Sequence, residues 1–377
     1  MSITLADARI VTPEGVRDGW LTIEDGRITH VGQGAAPRDG HGMGGRYVVP
    51  GFVDMHNHGG AGGSFPTGEQ DGARDAVALH EHHGTTTMIA SLVTGAIDDL
   101  ARATASLAEL CDDGLLAGIH FEGPYISRAR CGAHDPQLLR EPSPQEFSTL
   151  VKAGRGHVRM LTIAAELPGA LDTIRAAAAE GVIAALGHSD ATYEQTLAGI
   201  EAGASVATHL YNALPPLGHR EPGPVAALLQ DERVTVELIN DGVHVHPAML
   251  RLACQVAGPG RTALITDAMA AAGKGDGTYV LGSLTVNVVD GVARLAEGGS
   301  IAGSTLTMDV AFRRAVQEVG LTLPEAAQLA SLTPARVLGL ADRVGSISVG
   351  KAADLVVLSD DLEVAGVMKR GTWIVEP

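Results

Sequence analysis

From residue 50 onward, short apolar runs alternate with longer stretches rich in Ala and Leu. Strand-like runs fall at 53–58, 85–94, 115–123, 158–166, 182–188, 204–211, 235–241 and 262–267. Between most of them lie helical patterns, among them 71–83, 96–110, 171–180 and 193–202. Three of these stop at a glycine, Gly84, Gly181 or Gly203, as helix C-termini prefer. Eight strands alternating with helices predict an α/β fold, an eight-stranded (β/α)8 TIM-like barrel. A doubly wound open sheet is the alternative. It would want a Gly-rich phosphate turn after its first strand, and that position carries His56-Asn57-His58 instead.

The two ends of the chain have a different texture. Residues 20–23 and 28–31 flank an Asp25-Gly26 turn and read as a hairpin. After the eighth strand, 278–295 reads as a hairpin pair with a turn at Asp290-Gly291, followed by helical stretches at about 306–319 and 324–332. Strand character returns at 344–347, 350–358 and 367–375. The economical arrangement is a small β-sandwich built from 1–49 and 335–377, with the catalytic barrel spanning 50–334. No internal repeat, low-complexity tract or long linker interrupts the pattern.

Composition narrows the partners. With 45% hydrophobic residues in 377, the chain has ample material for a core. No apolar run is long enough to cross a bilayer, so no membrane partner is expected. Met1-Ser2-Ile3-Thr4-Leu5-Ala6-Asp7 lacks the pattern of a signal peptide. Cys111, Cys131 and Cys254 are odd in number and far apart, which predicts neither a disulfide framework nor a Cys-x-x-Cys metal knuckle and fits a reduced cytoplasm. A net charge of −17 argues against a nucleic-acid binder, but leaves room for a small anion in a locally positive pocket.

The chemistry stands at the strand ends, where α/β barrels place their active sites. His56 and His58 lie two apart, so on a strand both point to one face. Strand three ends in His120-Phe121-Glu122-Gly123-Pro124, strand five in Gly187-His188-Ser189 and strand six in Thr208-His209-Leu210-Tyr211-Asn212. Strand seven leads to Asp241-Gly242-Val243-His244, and strand eight ends in Thr266-Asp267. Four histidines, a Glu and an Asp suffice to hold one or two divalent ions. Plainer readings apply elsewhere. His120 shares a strand face with Glu122 and is expected to orient a ligand or fill core rather than ligate. His80, His82 and His83 fall in the last turn of a helix, where partial positive charge suits the dipole. His30 and His41 read as surface residues, and His157, His219 and His246 as loop residues. Cys131, in the loop 127–134, is either a bystander or part of a mobile lid.

Taken together, Pro50-Gly51-Phe52-Val53-Asp54-Met55-His56-Asn57-His58, His188, His209, Asp267 and Gly350-Lys351-Ala352-Ala353-Asp354-Leu355 resemble the amidohydrolase superfamily. That resemblance implies a metal-dependent barrel with a β-sandwich made by both termini. Many members bridge two metals with a lysine on strand four. Strand four has none here, and none of Lys152, Lys274, Lys351 and Lys369 lies on a barrel strand, which points to the subgroup with a strand-three glutamate in that role. Further stretches are similar to the family that deacetylates N-acetylglucosamine 6-phosphate. They are His120–Pro124, Gly132-Ala133-His134, Gly187-His188-Ser189, Thr208–Ala213, Arg220-Glu221-Pro222-Gly223, Asp241–His244 and Thr266-Asp267-Ala268. The implied reaction hydrolyses a linear amide C–N bond, giving D-glucosamine 6-phosphate and acetate, in amino-sugar catabolism and cell-wall sugar recycling.

By the same resemblance Glu122, His188 and His209 hold the main metal, and His56 and His58 make two ions plausible. Zinc is favoured, with iron, manganese or cobalt as alternatives. Asp267 is the acid/base. His134, Asn212, Ala213 and His244 contact substrate. Arg220 is similar to a phosphate-binding arginine supplied across a homodimer interface. Rival expectations are an amidohydrolase for another N-acetyl phosphosugar or a cyclic amide, and a non-catalytic scaffold. A scaffold would be expected to have lost ligands that this chain keeps.

Overall fold

The computed structural model describes residues 2–37 and 40–377. By contacts the chain divides into two compact units. One comprises Met55–Val77 and Met88–Leu306; the other comprises Met1–Asp54, Ala78–Thr87 and Thr307–Pro377. The second unit thus takes in 78–87 and the helices after residue 307, besides the terminal segments 1–49 and 335–377 that the sequence groups together.

In the first unit seven parallel strands lie side by side in chain order. They are Ala90–Val93, Ile119–Glu122, Val158–Ile163, Ile183–Leu186, Ala204–Ala207, Thr235–Ile239 and Thr262–Ile265. Nearly every residue in them is buried, because a parallel sheet roofed by helices has no wet face. The stretch around His56 closes the ring. Ser91 N–H donates to the Asn57 carbonyl at 2.8 Å on one side; on the other, Asp267 N–H donates to the His56 carbonyl at 2.9 Å and His58 N–H to the Ala268 carbonyl at 2.7 Å. An open doubly wound sheet has two edges, so this closure decides for the barrel.

The strands are shorter than the apolar runs at the ends that matter. The run 182–188 yields Ile183–Leu186, 204–211 yields Ala204–Ala207, and 262–267 yields Thr262–Ile265. His188, His209 and Asp267 have φ of 47°, 27° and 50° and so cannot extend a strand. The second run, 85–94, breaks at Ile89 into Thr85–Met88 and Ala90–Val93. The stretch 278–295 is a three-stranded meander of Gly277–Leu281, Leu284–Val289 and Val292–Leu295, in which Asp290-Gly291 makes the second turn. Helices start where their caps predict. Ser143 accepts from Glu146 N–H ahead of Pro144–Ala153, and Thr192 and Gln195 form a reciprocal capping box on Tyr193–Glu201.

In the other unit the terminal strands form one mixed sheet rather than two separate ones. Its order is Thr372–Val375, Val364–Lys369, Leu355–Leu358, Tyr47–Pro50, Ser2–Thr12, Gly15–Glu24 and Arg27–Gln33, with His41–Gly42 beside Ser2–Thr12. The sheet folds over, so that Ala353 N–H reaches the Gly26 carbonyl and Gly371 N–H the Ala353 carbonyl. Its two arms enclose Leu5, Ile10, Leu21, Ile28, Val48 and Leu355. The expected strand 344–347 is irregular, although Ile347 joins this core. The histidines at the end of the helix Gln70–His82 are structural: His80 is buried, His82 bonds the Ala78 carbonyl, and His83 pairs with Asp309 at 3.1 Å.

Candidate active site

At the C-terminal ends of the barrel strands six side chains converge. His56 and His58 bring their Nε2 atoms within 3.2 Å of each other. Glu122 stands between two groups of donors. Its Oε1 lies 3.1 Å from His188 Nε2 and 2.9 Å from His209 Nε2. It is also 3.5 Å from His56 Nε2, and Oε2 is 3.2 Å from His58 Nε2. Asp267 Oδ1 sits 3.1 Å from His58 Nε2 and 3.5 Å from His56 Nε2. His188 and His209 reach this point because their left-handed backbone turns the side chains off the strand; such conformations cost about 1–3 kcal/mol each and gather at functional sites.

The hydrogen bonds on the far side of each ring assign its proton. His56 Nδ1 faces Glu237 Oε2 at 3.0 Å, His58 Nδ1 the Ser91 carbonyl at 3.1 Å, and His188 Nδ1 the Arg130 carbonyl at 2.9 Å. All three partners are acceptors only, so Nδ1 carries a proton, and in the neutral ring Nε2 presents a lone pair to the centre. With the rings neutral, three lone pairs and two carboxylates meet at about hydrogen-bond distance with too few protons between them. A divalent cation resolves this. Ligands bonded at ~2.0–2.1 Å in a tetrahedron lie about 3.3 Å apart, close to the spacing of these donors. The residues therefore fit a metal.

His134 behaves differently. Its Nδ1 accepts from Thr94 N–H at 3.2 Å, so the proton belongs on Nε2, which points at Glu122 Oε2 at 3.3 Å. Although His134 stands close enough to group with Glu122 and His188 as a ligand, its tautomer makes it a donor. Burial pushes its pKa down to about 4 despite Glu122, so it stays neutral. His120 has both nitrogens taken up, by Ser91 Oγ at 2.9 Å and Thr162 Oγ1 at 2.8 Å, and is not a ligand.

The electrostatics favour positive charge at the centre. Burial opposes a charged His58, but hydrogen bonds to Asp267 and Glu122 outweigh it and raise its pKa to about 9. Against the same burial cost, Glu237 and Glu122 move His56 well up. Burial would lift Asp267, yet the His58 hydrogen bond and the field of His56 hold it down at about 2. Glu122 stays well below the usual carboxylate range because His56, His134 and His188 overcome its burial.

A cavity of about 300 Å³ opens over these groups, and Asn212, Ala213, His134 and His244 line it. Asp241 fixes His244: Oδ2 lies 2.6 Å from its Nδ1, while Oδ1 accepts the backbone N–H of Val243 and His244. Burial opposes charge on His244, and Asp241 overcomes it and raises the pKa. Arg220 is exposed and does not line the cavity. Cys131 is half-exposed and does not line it either, whereas its neighbours Arg130 and Gly132 do. Its loop is tied to strand five by Ser127 N–H on the His188 carbonyl and by the Arg130 carbonyl on His188 Nδ1.

A sequence model of the amidohydrolase family matches residues 47–374. The chain belongs to the amidohydrolase family. Among relatives of this amidohydrolase, the N-acetylgalactosamine-6-phosphate deacetylase of Escherichia coli O157:H7 is 39% identical over 98% of this chain and 99% of its own. The N-acetylglucosamine-6-phosphate deacetylase of Bacillus subtilis (strain 168) is 34% identical over 98% and 96%. Among solved structures, an Asp→Ala variant of the Mycobacterium smegmatis N-acetyl-D-glucosamine-6-phosphate deacetylase, in complex with N-acetyl-D-glucosamine-6-phosphate, superposes with a TM-score of 0.97. It is 50% identical and covers 99% of both chains.

The sequence pattern does not pick out the residues that stand behind the amidohydrolase site. Glu237 lies inside strand seven rather than at its end, and Asp241 opens the Asp241–His244 motif without a task of its own in that pattern. The partners of His58 and His188 are the backbone carbonyls of Ser91 and Arg130, which any residue could supply, while His134 Nδ1 meets both the N–H and the hydroxyl of Thr94. A buried Glu in an apolar strand was the one readable signal.

Proposed function

We propose that this amidohydrolase removes the N-acetyl group of N-acetyl-D-glucosamine 6-phosphate, giving D-glucosamine 6-phosphate and acetate. The observation that carries this reading is Asp267 Oδ1 at 3.1 Å from His58 Nε2, beside a donor cluster suited to a cation and open to a cavity. Glu122, His188 and His209 would hold one divalent ion, and His56 and His58, with Glu122 shared, a second. The nitrogen and carboxylate donors suit zinc, and accept iron, manganese or cobalt. When bound, such an ion lowers the pKa of a water and draws electron density from the amide carbonyl.

The chain's own groups do the rest. Asp267, ionised at neutral pH, accepts the proton of the attacking water and returns it to the sugar nitrogen as the C–N bond breaks. His134 Nε2–H donates to the oxygen that becomes negative when the carbonyl is attacked. His244, held by Asp241, offers a hydrogen bond and positive charge to the phosphate, which would lie against Asn212 and Ala213 in the cavity wall. Arg220 would complete that pocket from a partner subunit of a homodimer, a reading supported by its position outside this chain's own cavity. Absence of disulfides at Cys111, Cys131 and Cys254 supports a cytoplasmic setting, and among the described residues no helix is long and apolar enough to cross a membrane.

The Escherichia coli relative is named for the galacto epimer, so the C4 configuration is a second reading to be tested alongside. Acetate release is measured from N-acetylglucosamine 6-phosphate, N-acetylgalactosamine 6-phosphate and unphosphorylated N-acetylglucosamine. Fast turnover of the first supports the proposal, preference for the second moves it to the other epimer, and equal turnover of the third removes the phosphate pocket.

A further inference from the structure

Glu237 is a fully buried carboxylate to which the reaction above gives no task. It is the third residue of Thr235–Ile239, between Val236 and Leu238. Burying a carboxylate is costly, and a leucine would fill such a place with no such cost. What Glu237 touches explains it. Oε2 accepts from His56 Nδ1 at 3.0 Å and from His209 N–H at 3.1 Å. Its own carbonyl accepts Leu210 N–H at 2.8 Å. One carboxylate thus fixes a side chain from the first barrel segment and the turn that presents a side chain from the sixth. That turn holds His209 at φ 27°, which few residues adopt unaided.

We infer that Glu237 is a positioning residue of the metal centre, which keeps His56 protonated on Nδ1 and aimed with Nε2 at the ion shared by His56 and His58. Without an acceptor at Oε2 the His56 ring is free to turn over or to carry its proton on Nε2, and a protonated nitrogen is no ligand. The inference rests on the two-ion reading of the site.

The test counts ions per chain by elemental analysis after zinc loading and measures their affinity by chelator competition, in the full chain. Glu237→Leu and Glu237→Asp are expected to lose one ion, or to hold it ~10–100-fold more weakly. Glu237→Gln, which keeps an acceptor oxygen at the same reach, is expected to recover most of that affinity. In the zinc-loaded variants kcat falls while KM for the phosphosugar stays within about twofold, because Asn212 and His244 are untouched. A role in packing alone predicts the reverse order, with Leu as good as Glu. A folded Leu or Asp variant that keeps two ions at wild-type affinity overturns the inference; should Leu not fold, Asp decides. A wild-type chain that takes up one ion overturns the two-ion reading and this inference together, and that result is visible before any variant is made.

Discussion

Metal uptake by this protein should expel protons, and the structure shows where they come from. His58 has a pKa of about 9 in the metal-free centre, set by Asp267 and Glu122 against the cost of burial. His56 is displaced in the same direction by Glu237 and Glu122. At pH 7 the His58 ring is then mostly cationic in the metal-free protein, and it must be neutral to ligate. Loading therefore releases a proton from His58, and the upward displacement of His56 acts in the same sense. For His58 alone, pH 7 lies two units below the pKa, so only about 1% of the ring is ready to bind and apparent affinity is roughly 100-fold below its limit, about 2.7 kcal/mol. The sign follows directly. The proton competes with the ion, so affinity rises with pH, by about tenfold per unit for each proton displaced, and levels off above pH 9. Calorimetric titration of zinc into metal-free protein, in buffers of different ionisation enthalpy, counts the protons. Release near zero at pH 7, with affinity flat from pH 6.5 to 9, would refute a His58 ring held protonated by Asp267 and Glu122 in the metal-free centre.

Asp267→Asn should lower kcat by ~10²–10⁴ with KM little changed, since the group moves protons rather than holding substrate. Near-normal turnover by the metal-loaded variant would remove Asp267 from the mechanism. Arg220→Ala should raise KM for the phosphorylated sugar and leave hydrolysis of an unphosphorylated analogue unchanged; an equal effect on both would deny it contact with the phosphate. Gly187→Ala should be costly, because the new Cβ would stand 2.6 Å from Thr208 Cβ beside His188. A loss of about 1–3 kcal/mol in urea unfolding, with weaker metal binding, is expected. Gly181→Ala has open space but φ of +72°, so it should cost only about 1 kcal/mol of backbone strain and spare the metal.

Much of this molecule is legible in its sequence, and what is not has physical reasons. The barrel is readable because buried parallel strands are continuous apolar runs and helices announce their ends. Strand ends are misread by a few residues where His188, His209 and Asp267 take left-handed backbone, which only a few per cent of non-glycine residues adopt. Those same positions turn their side chains into the candidate site, so the boundary error and the site coincide. His56, His58, Glu122, His188, His209 and Asp267 come together as the strand order requires. Proton placement is a different matter. That His134 turns an N–H toward Glu122 while His58 can turn a lone pair there depends on Thr94 offering an N–H to one ring and Ser91 a carbonyl to the other. Those two are backbone groups, invisible in a string of side chains, although the Thr94 hydroxyl also reaches His134 Nδ1. The folding-over of the terminal sheet is equally hidden, because Gly26 and Ala353 meet across more than 300 residues of chain.

Glu122 carries one negative charge and turns an oxygen toward each half of the centre. If the centre takes two ions, as proposed, they draw on this one carboxylate and cannot load as strangers: whichever arrives first would take most of the charge, and the latecomer would meet both a spent ligand and a cation beside it. The loading curve is therefore stepwise, with a strong ion and a weak one. Where divalent metal is scarce, half-loaded molecules prevail; where it is plentiful, full ones do. Occupancy then reports on the surroundings as much as on the fold.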